Sequence, residues 1–185
     1  MNLASQIHQC APAMNAALMT SLIKRESNFN PFAIGLDGKA VLSPQPRNIE
    51  QAITTAEKLA AQGKTFSVGL AQIHISNVKA YGLTWQQAFD VCTGLKYAQM
   101  IYQGFHARAV KAGFQGPAAI FMALRGYNSG DINGVISNEY AARIMSDTGL
   151  PVSLPTPSLS LAMSSPVMPP TSSVNEGESL ELFDK

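Results

Sequence analysis

The 185-residue chain reads as a mainly α domain over residues 1–150 followed by a tail. Three observations predict this. Apolar residues recur at spacings of three and four along successive segments, the period of a helix that buries one face. Helix-starting and helix-stopping residues bracket several of those segments: Asn48, Thr84 and Pro117 in front, Gly63 and Gly113 behind. The composition then changes after Leu150. Residues 151–185 hold six of the eleven prolines and eight serines, without apolar period, which is the signature of disorder.

The first helix is expected over about Asn15 to Ser27. Leu18, Met19, Leu22 and Ile23 form its apolar stripe, and Pro31 favours an extended residue before it, which ends the helix. Asn30 to Pro46 is rich in glycine and proline and reads as loop or short hairpin. Asn48 then caps a helix through Gln62, with Gln51 in the capping-box position and a stripe of Ile49, Ala52, Ile53, Ala56, Leu59 and Ala60. Ser67 to Ile75 is short and apolar. Ser76 and Thr84 each suit the cap of a short helix, and Thr84-Trp85-Gln86-Gln87 fits a capping box. A longer helix follows from about Thr93 to Ala112, with Leu95, Ala98, Tyr102, Phe105 and Ala109 on one face. Pro117 opens the next, through about Arg125, and the last spans about Asn138 to Ser146.

Composition excludes several function classes. A hydrophobic share of 46% supports a real core, and a net charge of +1 gives no electrostatic case for nucleic acid. No apolar run approaches the roughly 18 residues of a membrane span. Met1 to Cys10 lacks the basic and apolar regions of a signal peptide, so export by that route would need an upstream start. His8, His74 and His106 make no metal pattern with the two cysteines, and no cofactor motif is present. Cys10 and Cys92 are either two buried thiols or a disulfide, and a bridge would point to an oxidising compartment. The acidic end of the tail, Glu176 to Lys185, carries Leu180, Leu182 and Phe183, and is either a solvated terminus or a partner-docking segment.

Glu26 falls on the apolar stripe, four residues after Leu22. A carboxyl there is paired, exposed at the rim, or kept protonated by its surroundings, and the last state makes a general acid near neutral pH. Alone, the position favours a solvated helix end, because most glutamates there stay in water. Two more segments sit at element boundaries, where functional side chains concentrate: Gly69-Leu70-Ala71-Gln72-Ile73 and Gly126-Tyr127-Asn128-Ser129-Gly130. Gln72 can tie down a loop, Tyr127 can be a core aromatic, and Asn128 and Gly130 suit a turn.

Together the segments ESNFNP, GLAQI and GYNSG resemble the ordered motifs of lysozyme-like lytic transglycosylases. The segments NPFAIG and QPRNIEQAITTAEKLAAQGKTFSVGLAQI, and the CAP at Cys10, are more narrowly similar to the transglycosylase subunit of type IV secretion and conjugation systems. The likeness covers residues 3–148. Ala71 stands where the wider family has methionine, and Gly126 where it has alanine.

The resemblance implies a lysozyme-like helical fold. It implies cleavage of the β-1,4 bond between N-acetylmuramic acid and N-acetylglucosamine in peptidoglycan, with glycan strands and secretion components as partners and the periplasm as location. It also implies catalysis by Glu26, with Ser27, Gln72, Tyr127 and Asn128 binding substrate or lining the site. In that scheme Glu26 acts alone, whereas a two-carboxylate enzyme needs a second acid across the scissile bond. Among Asp37, Glu50, Glu57, Asp90 and Asp131, Asp37 reads as a turn residue, and Asp131 is the one best placed to approach the cleft, although a turn-capping role suits it better. A hydrolytic lysozyme and a non-catalytic peptidoglycan-binding or assembly module are the competing readings.

Overall fold

The computed structural model describes residues 2–38 and 40–152. The predicted disordered tail, with its acidic end, lies outside the described residues apart from Pro151 and Val152.

Eight α-helices dominate the described residues. They are α1 (Leu3–Cys10), α2 (Ala16–Ser27), α3 (Ile49–Ala61), α4 (Ile75–Ala80), α5 (Trp85–Phe89), α6 (Val91–Lys111), α7 (Gly116–Ser129) and α8 (Asn138–Asp147). The starts of α1 to α6 follow from side-chain caps that satisfy otherwise orphaned backbone N–H groups. Asn15 Oδ1 accepts from Leu18 N, and Asn48 Oδ1 from Gln51 N. Thr84 and Gln87 form the reciprocal box expected of them. In α3 the reciprocal bond shifts by one residue, because Gln51 Oε1 accepts from Arg47 N.

The apolar stripes of α1, α2, α6, α7 and α8 meet in one core. Leu18, Met19, Leu22, Ile23, Leu95, Phe121, Leu124, Ile144 and Met145 are all buried there. Cys10 at the end of α1 is bonded to Cys92 at the start of α6, with their Cα atoms 5.2 Å apart. Of the two sequence alternatives, the structure shows the bridge.

A small antiparallel sheet, ordered β1-β2-β3, completes the domain: β1 (Ile34–Leu36), β2 (Phe66–Val68) and β3 (Ile73–His74). Ile34 pairs with Val68 and Leu36 with Phe66. The region 30–46 is therefore not a local hairpin. Its strand pairs across the segment that carries α3, a long-range partnership that the local turn signals do not encode.

Three helices differ from the sequence expectation. Helix α1 was not anticipated; Asn2 caps it, and Ile7 and Cys10, three apart, are its buried face. Helix α4 is capped by His74, whose ring accepts from Ser76 N, rather than by Ser76. Helix α7 runs past Arg125 to Ser129, so Tyr127 and Asn128 are helical and only Gly130, at φ +79°, makes the left-handed stop. Gly126 does not break the helix. A Cβ at Gly126 would lie 2.3 Å from the Phe105 ring of α6, so the glycine lets the two helices close on each other.

Candidate active site

A groove of about 580 Å³ runs between the helical body and the sheet. Glu26 from α2, Ile101 and Phe105 from α6, residues 126–129 of α7 and its capping Gly130 line one side. Asp37, Ser67, Gln72, His74, Ser76 and Asn77 line the other.

Glu26 stands at the C-terminal end of α2, where the apolar stripe carries it inward. Asn28 and Phe29 then take left-handed backbone angles, with φ of 49° and 65°, and turn the chain away. Burial of the Glu26 carboxyl raises its pKa from the ordinary 4.5 to about 7, against a smaller lowering by the Tyr140 hydroxyl that donates to it. Burial is the larger influence because an ionised carboxylate loses its hydration there. The Tyr140 hydroxyl occupies Oε1, which leaves Oε2 to carry the proton.

Tyr140 escaped the sequence reading. It lies on α8, far along the chain from Glu26, and only the packing of α8 against α2 brings the two together. One signal was available: Tyr140 sits four residues before the buried Ile144, which places a hydroxyl-bearing ring beside the apolar face.

Two motif residues act on the backbone. Ser27 Oγ bonds the Leu70 carbonyl at 2.7 Å and the Ile23 carbonyl at 3.2 Å, and Ser27 is not among the groove-lining residues. The expectation that Ser27 touches substrate finds no support in this geometry. Its hydroxyl pins the end of α2 to the Gly69–Ile73 loop. The Tyr127 hydroxyl donates to the carbonyl of Ala71 at 2.8 Å, pinning the same loop from the side of α7. Burial, reinforced by the neighbouring Glu26 charge, holds the Tyr127 hydroxyl well above its usual pKa, so it remains a neutral donor.

Gln72 sits at a positive φ of 50°. Its Nε2 donates to the carbonyls of Ala33 and Gly69, at 3.0 and 2.9 Å, which fastens β1 to the loop. Both amide hydrogens are thereby used, and Oε1 keeps its acceptor capacity. Asn128 is exposed on the rim, with Nδ2 donating to Ser137 Oγ at 2.8 Å and Oδ1 left free.

The carboxylates redistribute relative to expectation. Asp131 is exposed, uses Oδ1 to cap the N–H of Asn133, and does not line the groove. Asp37, expected to be only a turn residue, does line it, with Oδ2 3.2 Å from His74 Nε2. Among the described residues no group of three His, Cys, Asp or Glu side chains could hold a metal, and no helix is long and apolar enough to cross a membrane.

Residues 4–144 match the family model described as the transglycosylase SLT domain. The type IV secretion system protein virB1 of Brucella abortus biovar 1 (strain 9-941) is 40% identical over 127 residues, 68% of this chain and 53% of that protein. The virB1 protein of Brucella suis biovar 1 (strain 1330) gives the same values. Protein virB1 of Agrobacterium fabrum is 26% identical over 136 residues, 74% of this chain and 55% of its own. The chain thus spans about half the length of the curated relatives it matches. No solved structure gives a significant match. With a family match over most of its length and a helical body that places the three motif segments around one groove, the chain belongs to the transglycosylase SLT domain family.

Proposed function

We propose that this chain is a peptidoglycan lytic transglycosylase that opens the cell wall for a type IV secretion or conjugation machine. The observation that carries the reading is Glu26, a groove carboxyl whose burial raises its pKa to about 7. Such a group is half protonated at neutral pH and can give and then take a proton. Family membership supplies the reaction class, and the virB1 relatives supply the link to type IV secretion.

In the proposed reaction Glu26 Oε2 gives its proton to the glycosidic oxygen. The bond from that oxygen to the muramic acid C1 breaks, and the substrate's own N-acetyl group supports the oxocarbenium-like centre. The Glu26 carboxylate then takes the proton of the C6 hydroxyl as O6 bonds to C1. The product is a 1,6-anhydro end, no water is consumed, and Glu26 returns to its starting state. Tyr140 steadies the ionised stage by its hydrogen bond to Oε1. Tyr127 and Ser27 hold the Gly69–Ile73 loop in place, while Gln72 and Asn128 present free oxygens to the N-acetyl groups of the glycan.

The Cys10–Cys92 bridge fits an oxidising compartment, and peptidoglycan lies outside the cytoplasm, so the periplasm is the proposed location. A hydrolytic reading is favoured by one observation, the second carboxylate, Asp37, on the groove. Mass spectrometry of released muropeptides separates the two, since the anhydro product is lighter by one water. Glu26→Gln should abolish release with the fold intact; near-normal release would place the acid elsewhere.

A further inference from the structure

The sheet side of the groove holds a hydrogen-bond relay through Ser76, His74 and Asp37. Ser76 N donates to His74 Nδ1 at 3.2 Å, so Nδ1 carries a lone pair and the ring proton sits on Nε2. Nε2 therefore donates to Asp37 Oδ2, 3.2 Å away. Ser76 Oγ lies 2.7 Å from the same Nδ1, where its hydroxyl shares that lone pair. The acceptors left over on these groove-lining residues are Asp37 Oδ1, the lone pairs of Ser76 Oγ, and Gln72 Oε1, whose amide hydrogens are already used.

Gly35 keeps the last of these uncovered. A Cβ at position 35 would lie 2.5 Å from Gln72 Oε1, so any side chain there would displace the acceptor. Among the described residues no lysine or arginine lines the groove. Unused acceptors without a cation beside them suit a ligand that brings donors.

We propose that Asp37, oriented by His74 and joined by Ser76 and Gln72 Oε1, forms a sugar subsite that binds the hydroxyl and acetamido N–H groups of the glycan strand. The site rests on the proposed function for the identity of its ligand. A neutral donor fits better than the ammonium of a peptide stem. The Asp37 charge is already engaged by an N–H, and Glu26, the other groove carboxyl, is kept largely uncharged by burial until neutral pH. Asp37 here is a binding group, whereas hydrolysis would make it a base.

The test uses Asp37→Asn, which retains shape. Its one oxygen can satisfy His74, and an NH2 donor then replaces Oδ1 in the groove. Binding of the N-acetylglucosamine hexamer is measured by calorimetry in the Glu26→Gln background with and without Asp37→Asn. Kinetics are measured for Asp37→Asn alone on peptide-stripped and peptide-bearing glycan strands. A lost hydrogen bond to a charged group predicts weaker hexamer binding and a higher KM by roughly tenfold or more, with kcat within about twofold and an unchanged melting temperature. Both substrates should show it, and Gly35→Ala should move KM in the same direction.

Unchanged hexamer affinity and KM would overturn the proposal. So would a fall in kcat at constant KM, which makes Asp37 a participant in chemistry. An effect confined to peptide-bearing strands would overturn the sugar assignment in favour of the stem ammonium. If wild-type protein binds the hexamer through Asp37 yet releases no muropeptides, the transglycosylase reading fails and the subsite stands.

Discussion

A carboxyl with a pKa near 7 is the product of two opposed contacts, and each makes a prediction. Burial raises the Glu26 pKa, and the Tyr140 hydroxyl partly offsets it by stabilising the ionised form. Tyr140→Phe should therefore shift the alkaline limb of the pH–rate profile to higher pH while lowering the maximal rate by roughly tenfold, the scale of one strong hydrogen bond. A limb that stays in place would mean that the hydroxyl does not act on Glu26.

Stability gives a second test at the same residue. Glu26 binds its proton more tightly folded, at about 7, than at the ordinary 4.5 of an unfolded chain. Its contribution to stability is thus full below about 4.5 and falls as pH rises towards 7, because the folded state disfavours the charge. Glu26→Gln should be more stable than wild type above pH 7, by on the order of 2 kcal/mol, with the two converging below 4.5. Urea midpoints across that range would show this, and a constant difference would contradict it.

At the scale of elements, close contact between α6 and α7 forms the floor of the groove. Gly126 lies against Phe105, and Arg108 sits over the same ring, 4.9 Å from its centroid. Gly126→Ala should force the ring to move and destabilise the protein by about 1–3 kcal/mol, the usual cost of overpacking. A smaller partner, Phe105→Leu, should recover part of the loss, so a double-mutant cycle would show coupling between the two positions. The bridge from α1 to α6 closes a long loop, with a sequence separation of 82. In the chain-entropy model its reduction should lower stability by about 4–5 kcal/mol, measured by denaturant titration with and without reductant.

Helix starts at Asn15, Asn48 and Thr84 were readable because a cap acts within three residues of itself. The end of α7 was not, because Gly126 looks like a stop signal until Phe105 is seen against it. The pairing of β1 with β2 escaped for a related reason, since strands of three residues carry too little periodicity to declare a distant partner.

Across the whole molecule, the groove is assembled from segments scattered along the chain. Glu26, Gln72, Tyr127 and Asn128 were visible in the sequence because each lies in a short ordered motif, and all four line the groove. Tyr140, which touches Glu26 without lining the groove, and the Asp37–His74 pair were not, since neither belongs to a motif and only tertiary packing brings each pair of partners together. Ser27 shows the converse: a motif position whose side chain serves the backbone.

The architecture assigns the two sides different work. In the proposed reaction the helical side supplies the proton donor, Glu26, and the sheet side supplies the acceptors of Asp37, Ser76 and Gln72. The claim that joins them is that one carboxyl performs both proton transfers. Its most direct test is the mass of the muropeptides released from purified peptidoglycan by wild type, Glu26→Gln and Asp37→Asn. The account predicts 1,6-anhydro ends from wild type and from Asp37→Asn, and none from Glu26→Gln. Products heavier by one water, or release that persists without Glu26, would contradict it.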